Sequence, residues 1–310
     1  MFYTKEAVLV KNKKDILRQQ LLGFEFGAKI VGEKVFFTYG GGGANTAVNF
    51  SKLGLKTGII TSVGDDDVGR RIVKNLKNSQ VGLSNIQVYG KVPSGLSFIV
   101  NFSGTTEHVI FTYRSANNEL LVSEKSLNKL KTDWYYLSSL SGSNWTKNLS
   151  AIFSSAQKNN VKMAWNPGSN QIQKGYKPLS KYLKQTEVLI LNKDEATELV
   201  LNFGEKVHKV PQLLKHLKKM GPKIIVITEG KGATVCSADE ICFEKALINK
   251  GVNTTGAGDA FGSSLVAGLI IYQNMAKALK LAIYQSNYVC RKIGAQKGLL
   301  SFSQIKKFIK

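Results

Sequence analysis

Apolar and polar positions fall into two rhythms along the chain. In the first third, aromatic and β-branched residues recur in short strand-like runs: 7–10, 21–30 and 34–39, with Gly32-Glu33 as a turn between the last two. Past the glycines at 40–43, residues 44–53 read as a helix and 56–63 as a strand. Residues 67–79 read as a helix closed by a Val81-Gly82 turn. Residues 87–89, 97–102 and 107–113 form a second β-rich patch, with Ser103-Gly104 as a hairpin turn. No helical pattern is available to cover these two patches, so a small separate sheet is expected.

From Trp134 onward, strand-like runs at 134–140, 161–165, 187–191 and 223–228 alternate with helical patterns at 144–159, 178–185, 194–201 and 210–220. Such alternation implies right-handed crossovers and a parallel sheet covered on both faces. A hairpin at 234–236 and 241–243 follows, then helices at 257–271, 275–293 and 303–309. The expected fold class is α/β, a three-layer, doubly wound and mostly parallel sheet. There is no internal repeat and no low-complexity linker, so residues 1–310 are expected to form a single domain.

Composition narrows this picture. A chain of 310 residues, 43% of them hydrophobic, suits a large buried core. No apolar run approaches the roughly 18–20 residues of a membrane span. The opening MFYTKEAVLVKNKKD has no apolar core or cleavage site of a secretory signal. Cys236, Cys242 and Cys290 form no CxxC and have no histidine at ligand spacing. They read as reduced thiols of a cytoplasmic protein, not as a disulfide framework or a zinc site. The formal charge of +22 attracts polyanions. The lysines are dispersed, however, with small clusters at 11–14, 215–219 and 306–310, and no helix-turn-helix, zinc-finger or RNP pattern is visible. A solvated basic surface is preferred to a nucleic-acid patch.

The candidate chemistry centres on Asn253-Thr254-Thr255-Gly256-Ala257-Gly258-Asp259. Three small residues open an apolar-faced helix, where unpaired N–H groups and a partial positive charge await an anion. Asp259 falls in the first turn, able to take a proton from an attacking hydroxyl beside that anion hole. A carboxylate that merely favours the helix dipole is the competing reading. Gly40-Gly41-Gly42-Gly43-Ala44-Asn45 precedes another amphipathic helix. It is neither a P-loop nor a GxGxxG turn. Its glycines suit a backbone pressed against a polyhydroxylated ligand, with the Asn45 amide donating and accepting; a flexible turn is the alternative. Asn192-Lys193-Asp194-Glu195 follows a strand at the carboxyl end where α/β sheets bind ligands. Asn192 and Glu195 either position a magnesium-bound water shell or simply cap a helix. Thr228-Glu229-Gly230-Lys231-Gly232 is either a nucleotide cradle or a hairpin turn.

Together these motifs, in this order, resemble the ribokinase-like (PfkB-type) carbohydrate kinase family over nearly the whole chain. The specific stretches are Gly40 to Ala47 running into NFSKLG and VGDDDVG, and NTTGAGDAF. The resemblance implies a β-sheet lid, formed by about 21–39 and 87–113, which in such kinases often also mediates a homodimer. It implies ATP- and Mg2+-dependent phosphorylation of a small-molecule sugar, or alternatively a nucleoside. Asp259 would be the base, and Gly256, Ala257 and Gly258 the anion hole. Asn192 and Glu195 would act through magnesium and phosphate, with Glu195 reaching the metal indirectly. Thr228, Gly230, Gly232 and Asn287 would line the nucleotide. Gly41, Gly42, Gly43 and Asn45 would face the sugar, with Arg114 and Asn117 approaching it from the lid edge. Phe36, Phe37, Phe98, Phe102 and Phe111 are expected to be lid core in preference to a stacking surface for a base.

Two positions depart from the family pattern. Family members open with a strand, a glycine-rich turn and an Asp that grips sugar hydroxyls. Residues 1–20 offer no such stretch, Asp15 being the nearest acid after Glu6. Asn253 stands where the pattern has Asp beside a monovalent-cation loop, which weakens the case for K+ activation. A kinase-fold protein that binds nucleic acid or a partner without catalysis is the reading from a different class.

Overall fold

The apolar runs of the second half lie side by side in one sheet. A computed structural model describes residues 1–11, 20–103, 108–237, 240–247 and 251–309. Asp15, Gly104 and Glu107, named above, lie outside the described residues. In chain order the first elements are β1 (Phe2–Thr4), β2 (Val8–Lys11), β3 (Gln20–Gly23), β4 (Lys34–Val35), α1 (Gly42–Lys52), β5 (Gly58–Gly64) and α2 (Asp67–Asn78). They continue with β6 (Gly82–Tyr89), β7 (Leu96–Phe102), β8 (His108–Tyr113), α3 (Glu124–Leu127), β9 (Trp134–Leu137), α4 (Trp145–Lys158), β10 (Lys162–Trp165) and α5 (Ser169–Ile172). The rest are α6 (Tyr176–Leu183), β11 (Val188–Asn192), α7 (Lys193–Leu201), α8 (Val210–Lys219), β12 (Ile224–Glu229), β13 (Gly232–Ser237), β14 (Glu240–Lys245), α9 (Ala257–Tyr272), α10 (Met275–Cys290) and α11 (Phe302–Ile305).

The main sheet has the order β14-β13-β12-β11-β10-β9. Strands β9 to β12 are parallel, and β13 and β14 add an antiparallel hairpin at one end. Alternation along each strand sends side chains to opposite faces. Leu189, Leu191, Ile225 and Ile227 join Met163 and Trp165 in a core with residues of α4, α6, α7 and α8. Their neighbours Val188, Ile190 and Val226 pack on the other face against Phe261, Leu265 and Val266 of α9 and Leu279 and Ala282 of α10. Burial on both faces explains why β11 and β12 read as unbroken apolar runs. This gives the three expected layers.

Three smaller sheets flank this body: the parallel pair β5–β6, the hairpin β2–β3, and a four-stranded sheet ordered β4-β1-β7-β8. Several local expectations are corrected here. The run at 87–89 is not part of the four-stranded sheet. It ends β6, which starts at Gly82 and pairs with β5, because Leu83 and Ile86 pack beside Leu76 and Val81. The turn after α2 falls earlier, at Gln80, which takes a φ of 57°. Of the run 21–30, only the stretch ending at Gly23 is strand, and it pairs with β2. Phe2–Thr4, where no strand was expected, pairs in parallel with β7.

The VGDDDVG stretch has a structural job. Asp66 caps α2, accepting from Gly69 N at 2.7 Å, and also accepts from Ser94 N and Ser94 Oγ, each at 2.7 Å. These bonds, led by that from Ser94 N, hold its carboxyl below the usual carboxylate range. The joint has no room for side chains at its glycines. A Cβ on Gly69 would lie 2.1 Å from Gly64 O, and one on Gly64 would lie 2.5 Å from Val92 O.

Candidate active site

Helix α9 begins where the sequence predicts, and its first residues are shaped by packing. Gly256 is its N-cap in the left-handed region, at φ 83°. A Cβ there would sit 2.4 Å from the Ala295 Cβ, whereas nothing lies within 4 Å of the Gly258 position. Gly258 is exposed, so a ligand can approach its N–H. The Ala257 N–H is already engaged, closing a turn on Thr254 O at 3.1 Å. Ala257 O accepts from Ser286 Oγ at 3.0 Å, which seats α10 against the same loop.

Asp259, in the first turn of α9, meets Asn45 of α1. Asn45 Nδ2 donates to Asp259 Oδ2 at 2.7 Å. Asp259 Oδ1 lies 3.4 Å from where a Cβ on Gly42 would stand, so the glycine motif packs directly on the carboxylate. Burial raises the Asp259 pKa above the ordinary Asp value, and the Asn45 bond works against that rise. The Tyr136 hydroxyl of β9 is buried, and its pKa is pushed up by burial and then by the Asp259 charge. A buried polar cluster fixes α1 and α9 together: Asn49 Nδ2 lies 2.8 Å from both Ser263 Oγ and Ser264 Oγ. Gln285 Nε2 of α10 donates to Asn49 Oδ1 at 2.7 Å.

The glycines of the motif differ among themselves. Gly41 is the N-cap of α1 at φ 91°, with open space around it. Gly42 and Gly43 form the first turn of α1 beside Ser138, whose Cβ would be 3.3 Å from a Cβ on Gly42.

Asn192 and Glu195 form a reciprocal capping box on α7: Glu195 N donates to Asn192 Oδ1 at 2.8 Å, and Asn192 N to Glu195 Oε2 at 2.9 Å. Glu195 nevertheless also lines a cleft of about 260 Å³ with Arg114, Ser139, Asn166, Gly168 and Ser169. Burial, as the largest cause, raises its pKa. Two residues nominated from distant parts of the sequence, Arg114 and Glu195, thus share one cleft. Among the described residues no group of three or more His, Cys, Asp or Glu converges as a metal cluster. Thr228 sits opposite Asn192 in the β11–β12 register. Gly230 is open, while at Gly232, with φ 157°, a Cβ would lie only 2.4 Å from Glu244 O.

Asn287 and Asn117 stand apart from these groups. Asn287 Nδ2 donates to Leu247 O at 3.2 Å and its Oδ1 accepts from Arg291 Nη2 at 3.0 Å. Asn117 packs on Gly95, where a Cβ would lie 2.3 Å from its Oδ1. The aromatics expected as core are corrected for three positions. Phe37, in the segment after β4, is 92% exposed, and Phe98 (51%) and Phe111 (56%) stand on an uncovered face of β7 and β8. Sequence reasoning missed Ser138, Tyr136, Asn166 and Gln296. Gln296 Nε2 donates to Asn45 Oδ1 at 2.9 Å. Its only sequence signal is the glycine-flanked GAQKG loop, whose contact with Asn45 spans 251 positions.

A three-layer sheet with this loop at the head of α9 defines a ribokinase-like α/β fold. Comparison with known proteins agrees. The family model for the pfkB family carbohydrate kinases matches residues 16–301. The chain is 27% identical to the ribokinase of Lactococcus lactis subsp. lactis, covering 99% of this chain and 97% of that protein. It is 25% identical to the ATP-dependent 6-phosphofructokinase of Thermoanaerobacterium thermosaccharolyticum, covering 86% of this chain and 84% of that one. The structure of Arabidopsis thaliana ribokinase complexed with ribose and ATP superposes with a TM-score of 0.78, at 18% identity and 92% coverage of each chain. The chain belongs to the pfkB family of carbohydrate kinases, phosphotransferases that act on an alcohol group. Among the described residues no helix is long and apolar enough to cross a membrane.

Proposed function

We propose that this chain transfers the γ-phosphoryl group of ATP to a hydroxyl of a ribose- or fructose-type sugar, with Asp259 as the base. The observation that carries the reading is the 2.7 Å bond from Asn45 to Asp259. It joins the glycine motif of α1 to the anion-accepting start of α9, so a hydroxyl aligned by one meets the base of the other.

ATP with Mg2+ supplies the phosphoryl group and neutralises its charge. The chain's own residues do the rest. Asp259 takes the proton of the acceptor hydroxyl as that oxygen attacks. The exposed Gly258 N–H, at the positive end of α9, faces the charge that gathers on the transferring group. Gly256 holds the turn that aims it, with Thr255 and Ala257 beside it. Glu195, in the cleft with Arg114, would help hold Mg2+, acting on it indirectly. Asn192, Thr228 and Gly230, at the carboxyl ends of β11 and β12, border the nucleotide. Gly232 shapes that border, and Asn287 supports it through α10. Gly41, Gly42, Gly43 and Asn45 line the sugar, and Arg114 approaches it from the cleft, with Asn117 in the short helical turn that Arg114 begins. That sheet serves as a lid that excludes water from the transfer. Its uncovered apolar face is also suited to pairing with a second copy.

A nucleoside acceptor is the second reading, and the exposure of Phe98 and Phe111 favours it, since their rings lie 6.5 Å apart on one face. The deciding experiment is ADP release with Mg-ATP against ribose, fructose, fructose phosphates, 2-keto-3-deoxygluconate, adenosine and inosine. Turnover on a sugar supports the first reading and turnover on a nucleoside the second. Silence across the panel with ATP still bound would favour a non-catalytic binding role. In that case binding to random DNA, with a steep salt dependence, would be the next test of the basic surface.

A further inference from the structure

Three carboxamides stand in line behind the Asp259 carboxylate. Asn45 Nδ2 donates to Asp259 Oδ2 at 2.7 Å, Gln296 Nε2 donates to Asn45 Oδ1 at 2.9 Å, and Asn75 Nδ2 donates to Gln296 Oε1 at 2.9 Å. They come from separate places in the fold: α1, the loop after α10, and α2. A carboxamide has one donor end and one acceptor end, whereas an ionised carboxylate only accepts. Each amide therefore fixes the orientation of the next, and all three point their donors toward Asp259.

We propose that Gln296, and behind it Asn75, are positioning residues that hold the Asn45 amide with its N–H toward Asp259, keeping that carboxylate ionised and aimed. The role of the carboxylate as base rests on the function proposed above; the polarity of the chain does not. Without Gln296 the Asn45 amide is free to turn over and set its Oδ1 against Asp259. Two acceptors repel each other there unless Asp259 carries a proton. Loss of the chain therefore favours the neutral acid.

The groups packed around Asp259 leave this effect readable. From α1 come Asn45 and Gly42, and from its own helix Ser263, whose Oγ donates to Asp259 O at 2.5 Å. From β9 comes the titratable Tyr136, whose pKa is pushed up so that it stays neutral where a carboxylate titrates.

The test follows the Asn45 side-chain amide by NMR in protein labelled with 15N-Asn, over a pH series. The resonance is assigned by its loss in Asn45→Ser. Its shift is expected to titrate with Asp259, and Asp259→Asn to abolish that titration. Gln296→Met keeps the side-chain length and removes both polar ends. It is expected to raise the midpoint by about one pH unit, the scale of one hydrogen bond to a charge. Asn75→Leu is expected to raise it by less, and to add nothing in the Gln296→Met background, because its influence passes through Gln296. An unchanged midpoint in Gln296→Met overturns the proposal. So does an Asn75→Leu effect of equal size in both backgrounds. Melting temperatures verify folding, and if Gln296→Met does not fold, the absence of any shift in Asn75→Leu alone overturns it.

This readout needs no acceptor. A silent substrate panel with the coupled titration intact would sink the kinase reading and leave the chain of amides standing; turnover with an unshifted midpoint would do the reverse. Where turnover is found, Gln296→Met is expected to lower kcat with the KM for ATP unchanged. The acid limb of its pH profile should move up by the same amount as the NMR midpoint.

Discussion

Asn45 and Asp259 are 214 positions apart in the chain, and their side chains meet at 2.7 Å. The contact locks the carboxylate against the glycine motif, as the role proposed for Asp259 requires. Asp259→Asn keeps the size and the acceptor oxygen of the side chain but removes the base. The expected loss in kcat is about 10²–10⁴, with ATP affinity little changed. Steady-state kinetics on the acceptor found by the panel, together with ATP titration, measures both. Near-normal turnover in the variant would rule Asp259 out as the base.

The same substitution has a stability consequence whose sign follows from the pKa. Burial raises the folded-state pKa of Asp259 above its unfolded value. Between those two values the folded state binds more protons than the unfolded one, so this group's contribution to stability falls as pH rises through the window. Above it, the buried charge is a net cost to the fold. Asp259→Asn removes that cost and is expected to raise the melting temperature at neutral pH. The gain should shrink as pH falls toward the ordinary carboxylate range near ~4. Thermal melts of both proteins across pH test this; a variant that is less stable at pH 7 and unchanged at low pH would contradict it.

The main sheet was legible in the sequence because its strands are buried on both faces. Leu189 and Ile190 face opposite helical layers, so the run is apolar throughout and stands out against its helices. The small sheets were less legible. Their strands carry apolar residues on exposed positions, as at Val35 and Leu96, so neither alternation nor burial marks which strand pairs with which. The run ending in Tyr89 was assigned to the wrong sheet for this reason. In the site, glycines betrayed themselves where the backbone needs them, as Gly256 does. Asn192 and Glu195 cap α7, which is one of their two readings, and Glu195 also borders a cleft. Asn75 left no local trace and Gln296 only its glycine-flanked loop, since a carboxamide chain is a property of three distant segments brought together.

Gly256 and Gly258 make opposite demands, which separates folding from function. Gly256→Ala places a Cβ 2.4 Å from Ala295 Cβ in a backbone held at φ 83°. Left-handed backbone costs a non-glycine residue about 1–2 kcal/mol, and overpacking adds about 1–3 kcal/mol. A large loss of stability is expected in denaturant melts. Gly258→Ala meets open space and sits in the first turn of a helix, so its stability should stay within about 1 kcal/mol of wild type. Its activity should fall sharply, because the methyl group stands between the N–H and an incoming anion. Full activity in Gly258→Ala would remove the anion-hole role from that position.

Asn253 bears on the response to potassium. The side chain is buried, its Nδ2 donating to Asn101 Oδ1 at 3.2 Å and its Oδ1 accepting from Thr255 N at 3.2 Å. Both ends of the amide are thus engaged, one by β7 and one by the loop that leads into α9. A cation held there gains no anionic oxygen from the amide, and the lone pair left on Oδ1 is a weaker ligand than a carboxylate. The expected outcome is equal turnover in potassium and in a salt of a bulky organic cation at matched ionic strength, measured by ADP release. Asn253→Ala should lower activity in both salts alike, through loss of the Thr255 bond, with no change in their ratio. A several-fold rate increase specific to potassium in the wild-type protein would show that the loop gathers a cation through other oxygens, and that the amide at 253 is no barrier to it.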